Sequence, residues 1–170
     1  MQAEFAIHRL ARNVEAIGGL VSGTSAEQAR WKPSPAQWSI LEVINHLADE
    51  ELEDFRTRLD LVLHHPSRDW PGIAPKDWVV KRGYNSRDLP ESLNRFIDAR
   101  QASLAWLKGL SDPDWDREAR TPGGEPMQAG RLLMSWLAHD WHHVRQMTRL
   151  HYEYLAQLAH PASLAYAGQW

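Results

Sequence analysis

Ala138-His139-Asp140-Trp141-His142-His143-Val144-Arg145-Gln146 carries two histidines, His139 and His143, four residues apart. On a helix, residues i and i+4 share a face, one turn above the other. Leu132, Trp136, Met147 and Leu150 recur at the helical period and lie close to the direction of that pair. The two imidazoles therefore belong to the stripe that faces a core. Inward imidazoles at one-turn spacing can chelate a transition metal, but two nitrogens alone do not complete a site. A third ligand has to come from elsewhere in the chain.

Working outward, the stretch lies on a helix predicted over about 127–157. Far upstream, Ser39-Ile40-Leu41-Glu42 has the form of a capping box, in which the serine accepts from the amide three residues on and the glutamate reaches back. It opens a helix predicted over about 39–63. Pro33 and Pro35 exclude a helix immediately before it. Ile40, Val43, Ile44 and Leu47 form its early core face, and His46 lies beside them, directed inward. Glu50 is one turn beyond His46. Asp49, Glu51, Glu53 and Asp54 read as a solvated face.

Two further amphipathic segments complete the pattern. Ile7, Leu10, Val14, Ile17 and Val21 form the seam of a helix over about 2–21, with His8 off the seam and at the surface. Leu93, Ile97, Leu104 and Leu107 mark a helix over about 88–109, with Pro90 in its first turn. Arg100 falls on that apolar stripe. Its guanidinium is expected to snorkel to an edge, the alternative being a buried or bound anion. Between the second and third helices, Pro71-Gly72, Pro75 and Gly83 predict a long irregular loop, with His64 and His65 exposed on it. Gly109–Gln128 is a second connection with room for a short hairpin, and residues 160–170 read as a loosely packed extension. The expected fold is all-α. One domain over residues 1–170 forms a four-helix bundle with a long crossover loop between helices 2 and 3.

Composition narrows the chemistry. The chain has 170 residues, enough for one sizeable core. Its net charge of −3 argues against a nucleic-acid partner. There is no cysteine, which excludes disulfides, zinc–thiolate sites and cysteine nucleophiles. No charged-then-apolar leader and no membrane-length apolar run is visible, so a soluble cytoplasmic protein with no membrane partner is the expectation. Nine tryptophans are many for this length, and several fall in loops or at helix starts, where a large ring covers a core edge.

In such bundles, metal sites form from side chains on facing helices. His46 with His139 and His143 would supply three nitrogens and leave a position open for water or substrate, as catalytic sites require. Here the sequence resembles a known family. Trp38-Ser39-Ile40-Leu41-Glu42-Val43-Ile44-Asn45-His46-Leu47-Ala48 is similar to the second-helix signature of DinB/YfiT-like four-helix metalloproteins, and His139-Asp140-Trp141-His142-His143-Val144-Arg145-Gln146 to their C-terminal helix signature. The resemblance covers nearly the whole chain in order and spacing. It implies an up-down-down-up bundle, often a homodimer, and a divalent metal, commonly zinc or nickel, on His46, His139 and His143. It also implies small-molecule substrates, with S-transferase or isomerase activity on low-molecular-weight thiols, or hydrolase activity.

Around that triad, Gln146 is placed to hydrogen-bond a ligand or substrate, and His142 lies on the flank of the stripe. Glu50 could orient an imidazole or act as a general base, and Asp140 has a similar, weaker case. A cation on neutral imidazoles lowers the pKa of bound water toward ~7 and favours thiolate over thiol. The functional expectation is therefore a metal-dependent thiol S-transferase or hydrolase. The alternatives are a non-catalytic, stress-associated metal- or ligand-binding protein, or a bundle whose histidines only pack.

Overall fold

The computed structural model describes residues 2–168 and 170. Helix α1 (Gln2–Val21) buries Ala6, Leu10, Asn13, Ile17 and Val21. Its buried stripe is turned slightly from the expected seam, since Ile7 and Val14 are only half-buried and Asn13 is inside. A single-turn helix, α2 (Ala26–Arg30), follows, its Ser25 side chain accepting from Gln28 N. Nothing in the apolar pattern had indicated it.

The capping box forms as expected: Glu42 N donates to Ser39 Oγ at 3.1 Å and Ser39 N donates to Glu42 Oε2 at 2.9 Å. Helix α3 (Ile40–Glu50) starts there, and every one of its residues is buried. A π-helical turn, Glu51–Phe55, joins it to α4 (Arg56–His64). The expected second helix thus contains a widened turn. Such turns insert one residue into the ladder and re-aim the side chains around them. Glu51, Asp54 and Phe55 are all buried here.

The solvated acidic face is therefore corrected. Asp49 and Glu51 are at most 1% exposed and Asp54 only 8%, and Glu53 alone of the four is half-exposed. The reason for Asp49 and Glu51 is cationic and phenolic cover from distant elements, which no local pattern reveals, and for Asp54 an arginine one turn on. Asp49 accepts from Tyr84, Arg82 and Arg95, and Asp54 pairs with Arg58. The connection after α4 is also more ordered than expected. It contains α5 (Pro75–Lys81) and a 3₁₀ turn (Tyr84–Ser86), entered through Gly83 at φ +58°. Tyr84 seals it against α3, fully buried on Asp49.

Helix α6 (Leu89–Gly109) begins where Asp88 Oδ1 accepts from Glu91 N. The second connection holds a hairpin of β1 (Glu118–Arg120) and β2 (Pro126–Gln128), paired antiparallel with Ala119 opposite Met127. Helix α7 (Ala129–Ala159) carries the histidine pair.

Cross-helix hydrogen bonds give the directions. Asn13 bonds Asp140 and Leu20 bonds His151, so α1 and α7 run parallel. Asn45 bonds Ser92 and Glu51 bonds Arg100, so α3 and α6 run parallel. His46 faces His139 while Glu51 faces Trp136, so α3 and α7 are antiparallel. The topology is up-down-down-up. Two successive parallel helices require a connection that returns the length of the bundle, which accounts for the long segment between α4 and α6.

The apolar core is divided. One cluster includes Leu10, Phe55, Leu104, Leu133 and Trp136; the other includes Ile17, Val43, Ile44, Phe96 and Met147. Asn13, Glu51, Arg100 and Asp140 fall between the two clusters on each of the four long segments. Arg100 donates to Asp140 through two nitrogens, at 2.8 and 2.7 Å, and through Nε to Glu51 at 2.8 Å. Asn13 Nδ2 donates to Asp140 and Trp136 Nε1 to Glu51. Arg100 is fully buried, so the expectation that it snorkels to an edge is corrected: its partners are two buried carboxylates that the fold brings to it. No helix among the described residues is long and apolar enough to cross a membrane.

Candidate metal centre

Helices α3 and α7 bring His46, His139 and His143 to one point. His139 Nε2 lies 3.2 Å from His46 Nε2 and 3.1 Å from His143 Nε2. Ligand atoms of the three fall within 4.8 Å of one another, the one such histidine or acid cluster among the described residues. His46 and His143 are about 5% exposed or less. Burial, followed by the mutual repulsion of the imidazoles, depresses their basicity: His46 titrates at about 3 and His139 at about 2. Burial likewise lowers His143 to about 4, with the bond to Gln146 opposing it. All three are neutral at pH 7, so their lone pairs are available.

The donor set fits a cation. Nitrogens bound about 2.0–2.1 Å from a tetrahedral metal sit about 3.3 Å apart, close to the separations found. Tautomer logic agrees. His143 Nδ1 faces Gln146 Oε1 at 2.8 Å, so Nδ1 carries the proton and the Nε2 lone pair points at His139. A proton on His139 Nε2 cannot give both neighbours a linear bond. One cation satisfies all three lone pairs.

The surrounding residues divide sharply. Gln146 is the hydrogen-bond partner of His143, on the side away from the convergence point. Glu50 is buried at 4% exposure, its Oε1 3.7 Å from His46 Nδ1, and neither atom has a partner. Burial, and then the neighbouring Asp54, hold the Glu50 carboxyl well above the usual range. A neutral Glu50 stands as a proton donor to Asp54 rather than as a base. Asp140 is turned into the network of Arg100 and Asn13 and does not face the triad. Arg100 belongs to that same network. His142 is exposed, its ring edge-on to His143 at 5.2 Å.

The triad opens into a cleft of about 1190 Å³. Trp38 forms one wall, T-shaped on His46 at 4.9 Å and parallel to His143 at 6.3 Å. Tyr152 and Trp170, stacked at 4.6 Å, line it farther out, so part of the expected loose tail is packed against α7. His64 and His65 are exposed and do not line the cleft; His64 pairs with Asp60. Sequence reasoning passed over Asn13, Glu51 and Asp54, whose only signal was a polar residue within or beside an apolar stripe.

Comparisons with known proteins agree with this geometry. The sequence profile of the DinB superfamily matches residues 9–147. A protein of Oceanobacillus iheyensis named "putative metal-dependent hydrolase" is 29% identical over 117 residues, 66% of this chain and 64% of its own. The chain thus spans just under two thirds of that relative. A protein of the same name in Geobacillus thermodenitrificans is 26% identical over 145 residues, 80% of this chain and 76% of its own. Among solved structures, YfiT of Bacillus subtilis, described as a "probable metal-dependent hydrolase with an unusual four-helix bundle topology", superposes with a TM-score of 0.77 at 21% identity, over 87% of this chain and 85% of its own. A mycothiol-dependent maleylpyruvate isomerase gives a TM-score of 0.65 at 16% identity, over 85% of this chain and 60% of its own.

Proposed function

This chain belongs to the DinB superfamily, and on that premise we propose that it is a divalent-metal-dependent enzyme with His46, His139 and His143 as ligands. The observation that carries the reading is the convergence of three neutral imidazoles, with the Nε2 atoms of His46 and His143 each 3.1–3.2 Å from that of His139 and ligand atoms of all three within 4.8 Å. Zinc or nickel suits an all-imidazole set. Bound there, the cation would supply Lewis acidity to activate a water or a thiol in the position the protein leaves free.

The chain's own residues do the rest. Gln146 fixes the tautomer and ring plane of His143, as partners of ligating histidines do. Glu50 faces Nδ1 of His46 and keeps its proton toward Asp54. Trp38 covers two of the three imidazoles and restricts water from that side. The chain has no cysteine, so a sulfur nucleophile would arrive as a low-molecular-weight thiol. The cleft has room for a cosubstrate beside a second small molecule. The reaction classes are thiol S-transfer and hydrolysis.

Elemental analysis of tag-free protein, beside a His46→Ala/His139→Ala/His143→Ala variant, tests the reading. Near-stoichiometric metal in the parent and none in the folded variant supports it and justifies screening both reactions. A parent that takes up no metal after reconstitution with zinc or nickel would sink it and leave a ligand-binding bundle.

A further inference from the structure

The cleft carries charge of a sign opposite to that of the chain. The whole sequence has a net charge of −3, yet Lys76, Arg145 and Arg149 line the cleft with Glu153 as the one acidic side chain among its lining residues. Arg149 Nε and Glu153 Oε1 pair at 2.6 Å and neutralise one another. Lys76 and Arg145, both exposed, have no partner among the described residues. They come from different elements, α5 and α7, and the long connection between α4 and α6 is what brings Lys76 to the cleft. Two unpaired cations lining one concavity attract anions, and low-dielectric walls focus that field. Those walls are present as Trp38 and the Tyr152–Trp170 stack.

We infer that the cleft selects small organic anions, with Lys76 and Arg145 binding the acidic group and the aromatic rings holding an apolar body. The inference deepens the metal-dependent reading and rests on the cleft being its substrate site. Arg145 suits this role because its planar guanidinium matches a carboxylate or phosphoryl group with two parallel donors. Lys76 adds a mobile point charge from a second element, α5. Neutral substrates of the same shape would leave both cations solvated and gain nothing from them.

Calorimetric titration with phenylacetate and its neutral isostere phenylacetamide, on zinc-loaded and metal-free protein, tests this. The acid is expected to bind about tenfold more tightly than the amide, as one charge-assisted contact implies. A Lys76→Ala/Arg145→Ala variant should lose that preference while retaining the parent's zinc content, since both side chains are exposed and remote from the core. Equal binding of acid and amide by the parent overturns the inference. So does a preference that survives the double substitution, which would place the anion on the metal or elsewhere. A parent that binds no zinc overturns the metal reading alone, and the metal-free titrations then decide the anion subsite.

Discussion

His46 Nδ1 and Glu50 Oε1 face one another across 3.7 Å, one turn apart on α3, both buried and both without another partner. A metal on Nε2 would fix the proton of His46 on Nδ1, and Glu50 is the acceptor placed to receive it. Because burial and Asp54 keep Glu50 protonated, an amide should replace it well. Glu50→Gln is expected to retain most zinc affinity, whereas Glu50→Ala should weaken it by about 10–100-fold. Chelator competition measures both; an amide variant as weak as the alanine would show that Glu50 acts as a carboxylate.

Gln146 should behave similarly on the other side of the triad. It accepts from His143 Nδ1 at 2.8 Å. Gln146→Leu removes that acceptor while keeping the bulk of the side chain. Zinc affinity is expected to fall about 10–100-fold. The melting temperature of the metal-free protein should change little, because the residue is only half-buried. Unaltered zinc affinity would rule out an orienting role.

Arg100 tests the polar layer. It is the sole cation between Glu51 and Asp140, all three fully or almost fully buried. Arg100→Met strands two carboxylates in the core and should cost about 3–5 kcal/mol in urea denaturation. Adding Glu51→Gln and Asp140→Asn in the same background should recover part of that loss. A triple variant no more stable than Arg100→Met would mean that packing, rather than stranded charge, sets the cost.

The metal-free protein should lose stability on acidification through the triad. Its histidines titrate at about 3, 2 and 4 when folded, against 6.5 in an unfolded chain. Below pH 6.5 the unfolded histidines bind more protons, so their contribution to stability is full above that value and falls as the pH drops toward 4. Glu50 opposes this, since its folded pKa is raised; it outweighs the histidines above pH 6.5, where they are neutral in both states, and is outweighed by them below it. Each net proton is worth about 1.4 kcal/mol per pH unit. Urea midpoints at pH 6.5, 5.5 and 4.5 measure the slope, and His46→Gln/His139→Gln/His143→Gln should abolish or reverse it, since Glu50 is then left to act alone. A slope identical in parent and variant would assign the pH dependence to other groups.

Much of this protein was written locally. The capping box at Ser39 and Glu42, the four helical periods and the inward direction of His46, His139 and His143 depend on residues within a turn or two of each other, so periodicity exposes them. What depends on distant residues was not legible. Glu51 and Arg100 are read as exposed because a charged residue is taken as solvated unless its partner is known, and their partners lie on other segments; Asp54 pairs locally with Arg58, but the π-helical turn that buries it carries no local signal. The ordering of residues 75–86 likewise depends on Tyr84, Arg82 and their shared carboxylate Asp49. Sequence alone determined the approximate apolar face of each helix and the histidines that share it, because a helix fixes direction by its own geometry. Only the tertiary structure decided which inward groups meet, because that depends on how α3 and α6 cross α1 and α7. That crossing sets Arg100 between two carboxylates and puts three lone pairs at one point, while the connection between α4 and α6 brings Lys76 to the cleft.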